Sequence, residues 1–392
     1  MNPIRSDISA LEPSGIIKVA QLGLGDPGII PLWLGETDLV TPKFIRDAAA
    51  KALEDGRTFY THARGIPPLR EAIRDYHKRT TGADISPDRI TVPGAAMLAV
   101  VNALQAVAAE DGNIVIVSPI WPNIFQATKI ARMEPRLVRL EEDWSAGRWR
   151  LDMDRLFDAC DANTRALFLA SPGNPTGWML TADEQKTILD FARKRGIAVI
   201  ADEVYGTLVY DGAAHAPSWL SLADDEDAMF VINSFSKPWA MTGWRIGWLV
   251  HPASLAVPMV AMTQAGNTGT THFIQYGAIA ALSAEGDAFR GQLLERCRKG
   301  RAVVKDFIQR QNRVRWMKPD GAFYGFLNID GLKDSLSFAQ DMVRRAKVGV
   351  APGSAFSMGD ARDEAYIRIC FAQDAARIAE GLARFEGALA TV

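Results

Sequence analysis

The chain has 392 residues, 48% of them hydrophobic and 23% charged, an ordinary globular composition long enough for two domains around a large core. With 44 basic against 46 acidic residues and a formal net charge of -2, nothing in the charge recommends nucleic acid, and no charged block forms a tail. Three scattered cysteines make neither a disulfide framework nor a zinc pattern, which points to a reducing cytoplasm, and neither a signal peptide nor a run of ~20 apolar residues is present.

In chain order, the first 45 residues hold no strand–helix unit of their own and are expected to pack with the C-terminal part. Residues 95–109 form an apolar run broken by Asn102 and Gln105, which predicts a buried helix. Residues 114–117, 166–170, 197–201 and 229–232 are short, β-rich and non-alternating, as in strands buried on both faces. Helices between them predict a mainly parallel sheet in an α/β fold; the helix over 181–195 has Thr181 as N-cap and Glu184 three residues on. Beyond residue 286 the pattern changes to a long charged amphipathic helix over 287–311, then strands over 322–329 and 365–371. The expected division is a large domain over 46–286 and a discontinuous small α+β domain made of 1–45 and 287–392.

The most informative run is SFSKPWAMTGWRIGW at 234–248. A lysine beside serine and proline is usually a solvated surface residue, but Lys237 directly follows a buried strand. There it loses solvation and becomes a nucleophile able to condense with an aldehyde. Ser234 and Ser236 supply hydroxyl donors and Arg245 a guanidinium fork, which suit a phosphate ester. A lysine for an aldehyde and a grip for a phosphate point to pyridoxal 5'-phosphate.

Other turns lie beyond the carboxyl ends of predicted strands, where open α/β sheets bind ligands. TVPGAAML at 91–98 leads from a strand into a helix, so the backbone N–H groups of Ala95 and Ala96 make an anion site, though many such turns are plain loops. SPIWPN at 118–123 places Trp121 beyond a strand, where an aromatic either roofs the core or faces a ligand. SPGNPTG at 171–177 leaves Asn174 as the side chain able to donate or accept. DEVY at 202–205 ends a strand on Asp202, a carboxylate that is costly to bury unless it pairs with a cation or caps a helix. In AYIRICF at 365–371, Arg368 sits in an apolar strand and must find an anion, from substrate or from a structural salt bridge. The five histidines have no partner at metal-ligand spacing, and no metal is expected; His62 and His272 read as loop residues.

These runs, in this order from about Leu34 to Phe371, resemble the class I/II aminotransferases, the fold-type I pyridoxal-phosphate enzymes. The resemblance implies a large domain with a mixed, mainly parallel sheet and a smaller α+β domain, acting as a homodimer. It implies that Lys237 carries the cofactor and moves the Cα proton, and that Asp202 keeps the pyridine nitrogen protonated. Asn174 and Tyr205 would meet the cofactor's phenolic oxygen and Trp121 would stack on its ring. Ala95, Ala96, Ser234, Ser236 and Arg245 would hold the phosphate. Tyr60, in FYTHARGI at 59–66, would reach the phosphate of the neighbouring subunit. Arg368 would grip the substrate α-carboxylate, and Gly35, in WLGETD at 33–38, would face it, with Trp121 and Asn174 alongside. The family often has a polar side chain where this chain has Ala95 and Ala96, and proline where it has Thr37.

The implied activity is transfer of an amino group between an L-amino acid and a 2-oxo acid in two half-reactions. A carbon–sulfur β-lyase on the same scaffold is the rival among enzymes. A non-catalytic effector-binding domain is expected less, because it needs an added DNA-binding module. An acidic substrate needs a second cation. Bacterial aspartate aminotransferases that resemble this chain often have lysine at the Ala95 position, and Arg64 is the candidate substitute. Aromatic or mixed specificity is equally compatible with these residues.

Overall fold

The computed structural model describes residues 3–389. Seven strands form the central sheet in the order Ile90–Gly94, Gly247–Val250, Met229–Ser234, Ala198–Asp202, Thr164–Ala170, Asn113–Ser118 and Glu134–Arg139. Gly247–Val250 runs antiparallel to both neighbours, and the remaining pairs are parallel. Met229–Ser234 and Asn113–Ser118 are buried along their whole length, which is why their sequences do not alternate. The mixed, mainly parallel sheet is the one expected.

Helix boundaries follow local capping chemistry. The expected 95–109 helix is Ala96–Val107: Ala95 is an extended N-cap and Ala108 is already extended. Ala182–Arg195 starts at Thr181 through a capping box with Glu184 and stops at Gly196, whose φ of 65° is left-handed. The long charged helix begins earlier than expected, at Ala284–Gln309, because Ser283 Oγ caps it by accepting the Gly286 N–H.

A second, antiparallel sheet is built from Val314–Trp316, Tyr324–Ile329, Tyr366–Cys370 and Ala351–Pro352. The N-terminal segment joins this part of the molecule, since Ile30–Pro31 pairs in parallel with Val348–Gly349. The carboxyl ends of the central strands are in register, Ala170 opposite Asp202 and Asp202 opposite Ile232, so the loops that follow them open onto one cleft. Among the described residues no helix is long and apolar enough to cross a membrane.

The Thr181 cap gives a direct test of this local reading. Thr181→Ala should cost about 1 kcal/mol in urea unfolding, and Thr181→Ser should be nearly neutral, because serine keeps the capping oxygen.

Candidate active site

The loop carrying Lys237 is pinned from below. Phe235 and Trp239, on either side of it, are both fully buried, with ring centroids 5.3 Å apart, and Trp248 lies 5.0 Å from Phe235. With these rings turned into the core, Ser234, Ser236 and Lys237 line a cavity of about 290 Å³. Lys237 Nζ donates to the Gly35 carbonyl at 2.7 Å, and burial pulls its ammonium down to about 8. Asp202, the last residue of its strand, lines the same cavity. Burial raises its carboxyl to about 6, opposed by the Val204 N–H at 3.1 Å and by the charge of Lys237.

One end of the cavity is built for an anion. Ala96 lines it at the start of the helix, whose first N–H groups have no intrahelical acceptor, and Ala95 is the N-cap. Ser234 Oγ accepts the Ser236 N–H at 3.1 Å. Arg245 is exposed and left-handed, with φ 55°, and its Nη1 donates to the Thr242 carbonyl at 2.5 Å. Gly247 lets the antiparallel strand approach closely, because a Cβ there would lie 2.6 Å from the Asn233 carbonyl oxygen and 2.9 Å from Ala96 N.

Behind Asn174, which lines the cavity, stands a buried cation. Arg368 is 2% exposed, and among the described residues no carboxylate lies within ion-pairing reach of it. Its Nη1 donates to Asn174 Oδ1 at 3.0 Å, its Nη2 donates to the Trp33 carbonyl, and its Nε has no partner. The guanidinium lies 4.5 Å over the ring of Tyr324 and 5.1 Å over that of Phe356. Bonding through Oδ1 leaves the Asn174 amide donors for the cavity, whose wall also includes Trp121 and Tyr205. Gly35 cannot be larger: a Cβ would sit 1.9 Å from Tyr324 Oη.

Tyr324 is the site-associated residue that sequence reasoning passed over. Its phenol oxygen is 2.6 Å from that of Tyr205. A tyrosine in a wholly buried strand needs a partner for its hydroxyl, and that requirement was the available signal.

Tyr60, His62 and Arg64 lie outside the cavity wall. Tyr60 is 90% exposed and does not reach the cavity of its own chain; with Phe59 it lines a surface groove that also includes His272. His62 is on the surface. Arg64, the candidate second cation, is buried against Asp88, donating to its carbonyl and lying 3.2 Å from its carboxylate, and it is not in the cavity wall. That carboxylate is shared with Arg70, which lies 3.3 Å from the same oxygen, so Arg64 stands in a cluster of two cations and one anion outside the cavity.

The family model for aminotransferase class I and II matches residues 27–385. The aspartate aminotransferase of Pyrococcus horikoshii is 32% identical over 365 residues, spanning 92% of this chain and 90% of that protein. The aromatic-amino-acid aminotransferase 2 of Thermococcus litoralis is 34% identical over 387 residues, spanning 97% of each. Among solved structures, aspartate aminotransferase from Rhizobium meliloti has a TM-score of 0.87 at 28% identity, covering 100% of this chain and 99% of that one. A single mutant of the Thermus thermophilus aspartate aminotransferase also scores 0.87, at 26% identity, covering 98% and 99%. With a fold-type I architecture and family-wide similarity over nearly its whole length, the chain belongs to the class I and II aminotransferases, enzymes that depend on pyridoxal 5'-phosphate.

Proposed function

We propose that Lys237 holds pyridoxal 5'-phosphate and that the enzyme moves an amino group from a neutral, chiefly aromatic L-amino acid to a 2-oxo acid in two half-reactions. The observation that carries this reading is the allocation of charge around one cavity. Lys237, Asp202, Arg245 and the buried Arg368 lack ion partners among the described residues. That set fits the cofactor, which presents an aldehyde, a basic ring nitrogen and a phosphate, and it leaves one cation for a substrate carboxylate. Arg64 lies outside the cavity, sharing Asp88 with Arg70, and among the described residues the cavity wall offers no cation beyond Lys237 and Arg245 for an acidic side chain.

Bound there, pyridoxal 5'-phosphate supplies an aldehyde for the amino group and a cationic ring that spreads the electron pair released at Cα. Asp202 holds the proton on the ring nitrogen. Asn174 and Tyr205 donate to the phenolic oxygen, and Trp121 covers the ring. Arg245, the hydroxyls of Ser234 and Ser236, and the N–H groups of Ala95 and Ala96 grip the phosphate. Arg368 and the Gly35 segment take the α-carboxylate, which aims the Cα–H at Lys237 Nζ. That nitrogen removes the proton and later returns one, which suits an amine titrating near 8.

We also read residues 46–286 as the large domain and the remainder as the small one, in keeping with the two sheets. We read the chain as a homodimer in which Tyr60 meets the partner's phosphate end; the exposed apolar side chains of Tyr60, Phe59 and Val40, 90%, 79% and 72% accessible, support that reading. A cytoplasmic location is supported by three free, buried cysteines.

Borohydride reduction of the holoenzyme should fix the cofactor to the peptide of Lys237, and label on another lysine would sink the assignment. Only the neutral amine attacks an aldehyde, so cofactor capture by the cofactor-free protein should quicken as pH rises through about 8.

Asp202→Asn should fold and bind cofactor but lose at least ~100-fold in turnover, because a neutral amide does not hold the ring proton. Near-normal turnover would rule the role out.

Arg368→Lys should weaken every amino acid alike, by roughly 2–5 kcal/mol, because an ammonium lacks the bidentate fork. A steady-state panel should rank aromatic donors above aspartate. Selective loss of acidic donors in the variant would make Arg368 the side-chain selector instead.

A further inference from the structure

Behind the cavity wall lies a contact that the mechanism above leaves unused. Tyr205 lines the cavity, whereas Tyr324 is fully buried and stands behind it, their phenol oxygens 2.6 Å apart. The two rings meet nearly edge to face, 5.6 Å between centroids, and Phe323 packs on Tyr205 from the same strand end. Tyr324 Oη is also the atom that forbids a side chain at Gly35. Burial holds both phenols well above the ordinary tyrosine range, so both keep their protons at neutral pH.

We propose that Tyr324 is a positioning residue: its hydroxyl donates to Tyr205 Oη, which turns the Tyr205 proton into the cavity towards the cofactor's phenolic oxygen. The inference rests on the reading that pyridoxal 5'-phosphate occupies this cavity with that oxygen at Tyr205. Each hydroxyl has one proton to give. Were Tyr205 to spend its proton on Tyr324, it would present lone pairs to an anionic oxygen. With Tyr324 as donor, the two bonds run in one direction and polarise each other, so Tyr205 becomes the stronger donor. The charged or titratable groups around the pair are Asp202, Arg368 and Cys370, with Lys237 across the cavity. None of them is hydrogen-bonded to either phenol among the described residues.

A stronger donor stabilises the anionic form of the phenolic oxygen and so lowers the pH at which the bound cofactor's visible absorption changes. Tyr324→Phe keeps the ring beneath Arg368 and removes only the hydroxyl. In the reconstituted variant that pH midpoint should rise by about half a unit to one unit. Affinity for hydrocinnamate, an unreactive carboxylate read by spectral titration, should stay within about two-fold, because the Arg368 contacts remain. In a Tyr205→Phe background the same substitution should move the midpoint no further. An unchanged midpoint in Tyr324→Phe, or an equal shift with and without the Tyr205 hydroxyl, would overturn the relay. If Tyr324→Phe does not fold, 3-fluorotyrosine at position 324, a more acidic phenol and so a stronger donor, should lower the midpoint only where the Tyr205 hydroxyl is present; no shift there, or an equal shift in the Tyr205→Phe background, would overturn the relay. A wild-type band that does not titrate, or borohydride label away from Lys237, would overturn the cofactor placement itself and the relay with it.

Discussion

The site depends first on the burial of two aromatic rings that flank its lysine. Phe235 and Trp239 are locked with Trp248 and Tyr76 in a cluster of ring contacts between 5.0 and 5.7 Å. Each such ring contributes about 1.5–3 kcal/mol by leaving water, with a further increment from edge-on packing. The cluster is tied to the neighbouring Pro67–Thr81 helix by Trp248 Nε1 donating to His77 Nε2 at 2.9 Å. Burial pushes the His77 imidazole down to about 3, so it stays neutral and can accept that bond across the physiological range. A loop held this way keeps Lys237 in place without any polar contact to its own side chain from the cluster. Proton transfer to and from a carbon needs that precision.

The electrostatics around the cavity make a ligand part of the fold's energetics. Asp202 rises from 3.8 to about 6 on burial, so in the ligand-free protein its contribution to stability falls as pH climbs through that window. Lys237 drops from 10.5 to about 8, so its penalty is full below about 8 and is relieved as pH rises towards 10.5. Near neutrality both groups are charged against their environment. In the proposed placement a ring proton for Asp202 and an aldehyde for Lys237 would answer both at once, which would link cofactor binding to folding. Arg368 is the same argument in a drier place. Its fork rests on a carbonyl and an amide oxygen, neutral acceptors that orient the charge without cancelling it.

Much of this was legible in the residues. The non-alternating apolar runs marked the central strands because full burial on both faces demands them. The Thr181 cap was readable because a side-chain oxygen three residues before a glutamate has one local use. Lys237, Asn174 and Asp202 were visible because each lies at the end of such a strand or in the turn just beyond it. What escaped depended on contacts distant in sequence. Arg64 shares Asp88 with Arg70 outside the cavity, and periodicity cannot say which way a guanidinium turns. Tyr324 lay inside a predicted strand and looked like core. Its link to Tyr205 spans 119 positions and exists only because the two sheets meet there. Tyr60 was singled out by resemblance alone, since an exposed loop aromatic carries no signal of its own for the role proposed for it.

The short backbone segment at Trp33–Glu36 joins these parts. The Trp33 carbonyl holds Arg368, the Gly35 carbonyl holds Lys237, and the Glu36 carboxylate takes the Thr242 hydroxyl at 3.0 Å. Arg368 and Lys237 are thus fastened to carbonyls two residues apart, which would keep the proposed anion grip and proton carrier at a constant separation. The nature of the fastening matters as much as its place. A carboxylate beside Lys237 would stabilise the ammonium and raise its pKa, leaving little neutral amine near pH 7. A carbonyl oxygen orients Nζ through a bond of only about 1 kcal/mol net and leaves the pKa low. The lysine is therefore held firmly enough to be aimed and loosely enough to leave its acceptor, which is what the proposed role asks of an amine that forms and breaks bonds in each turnover.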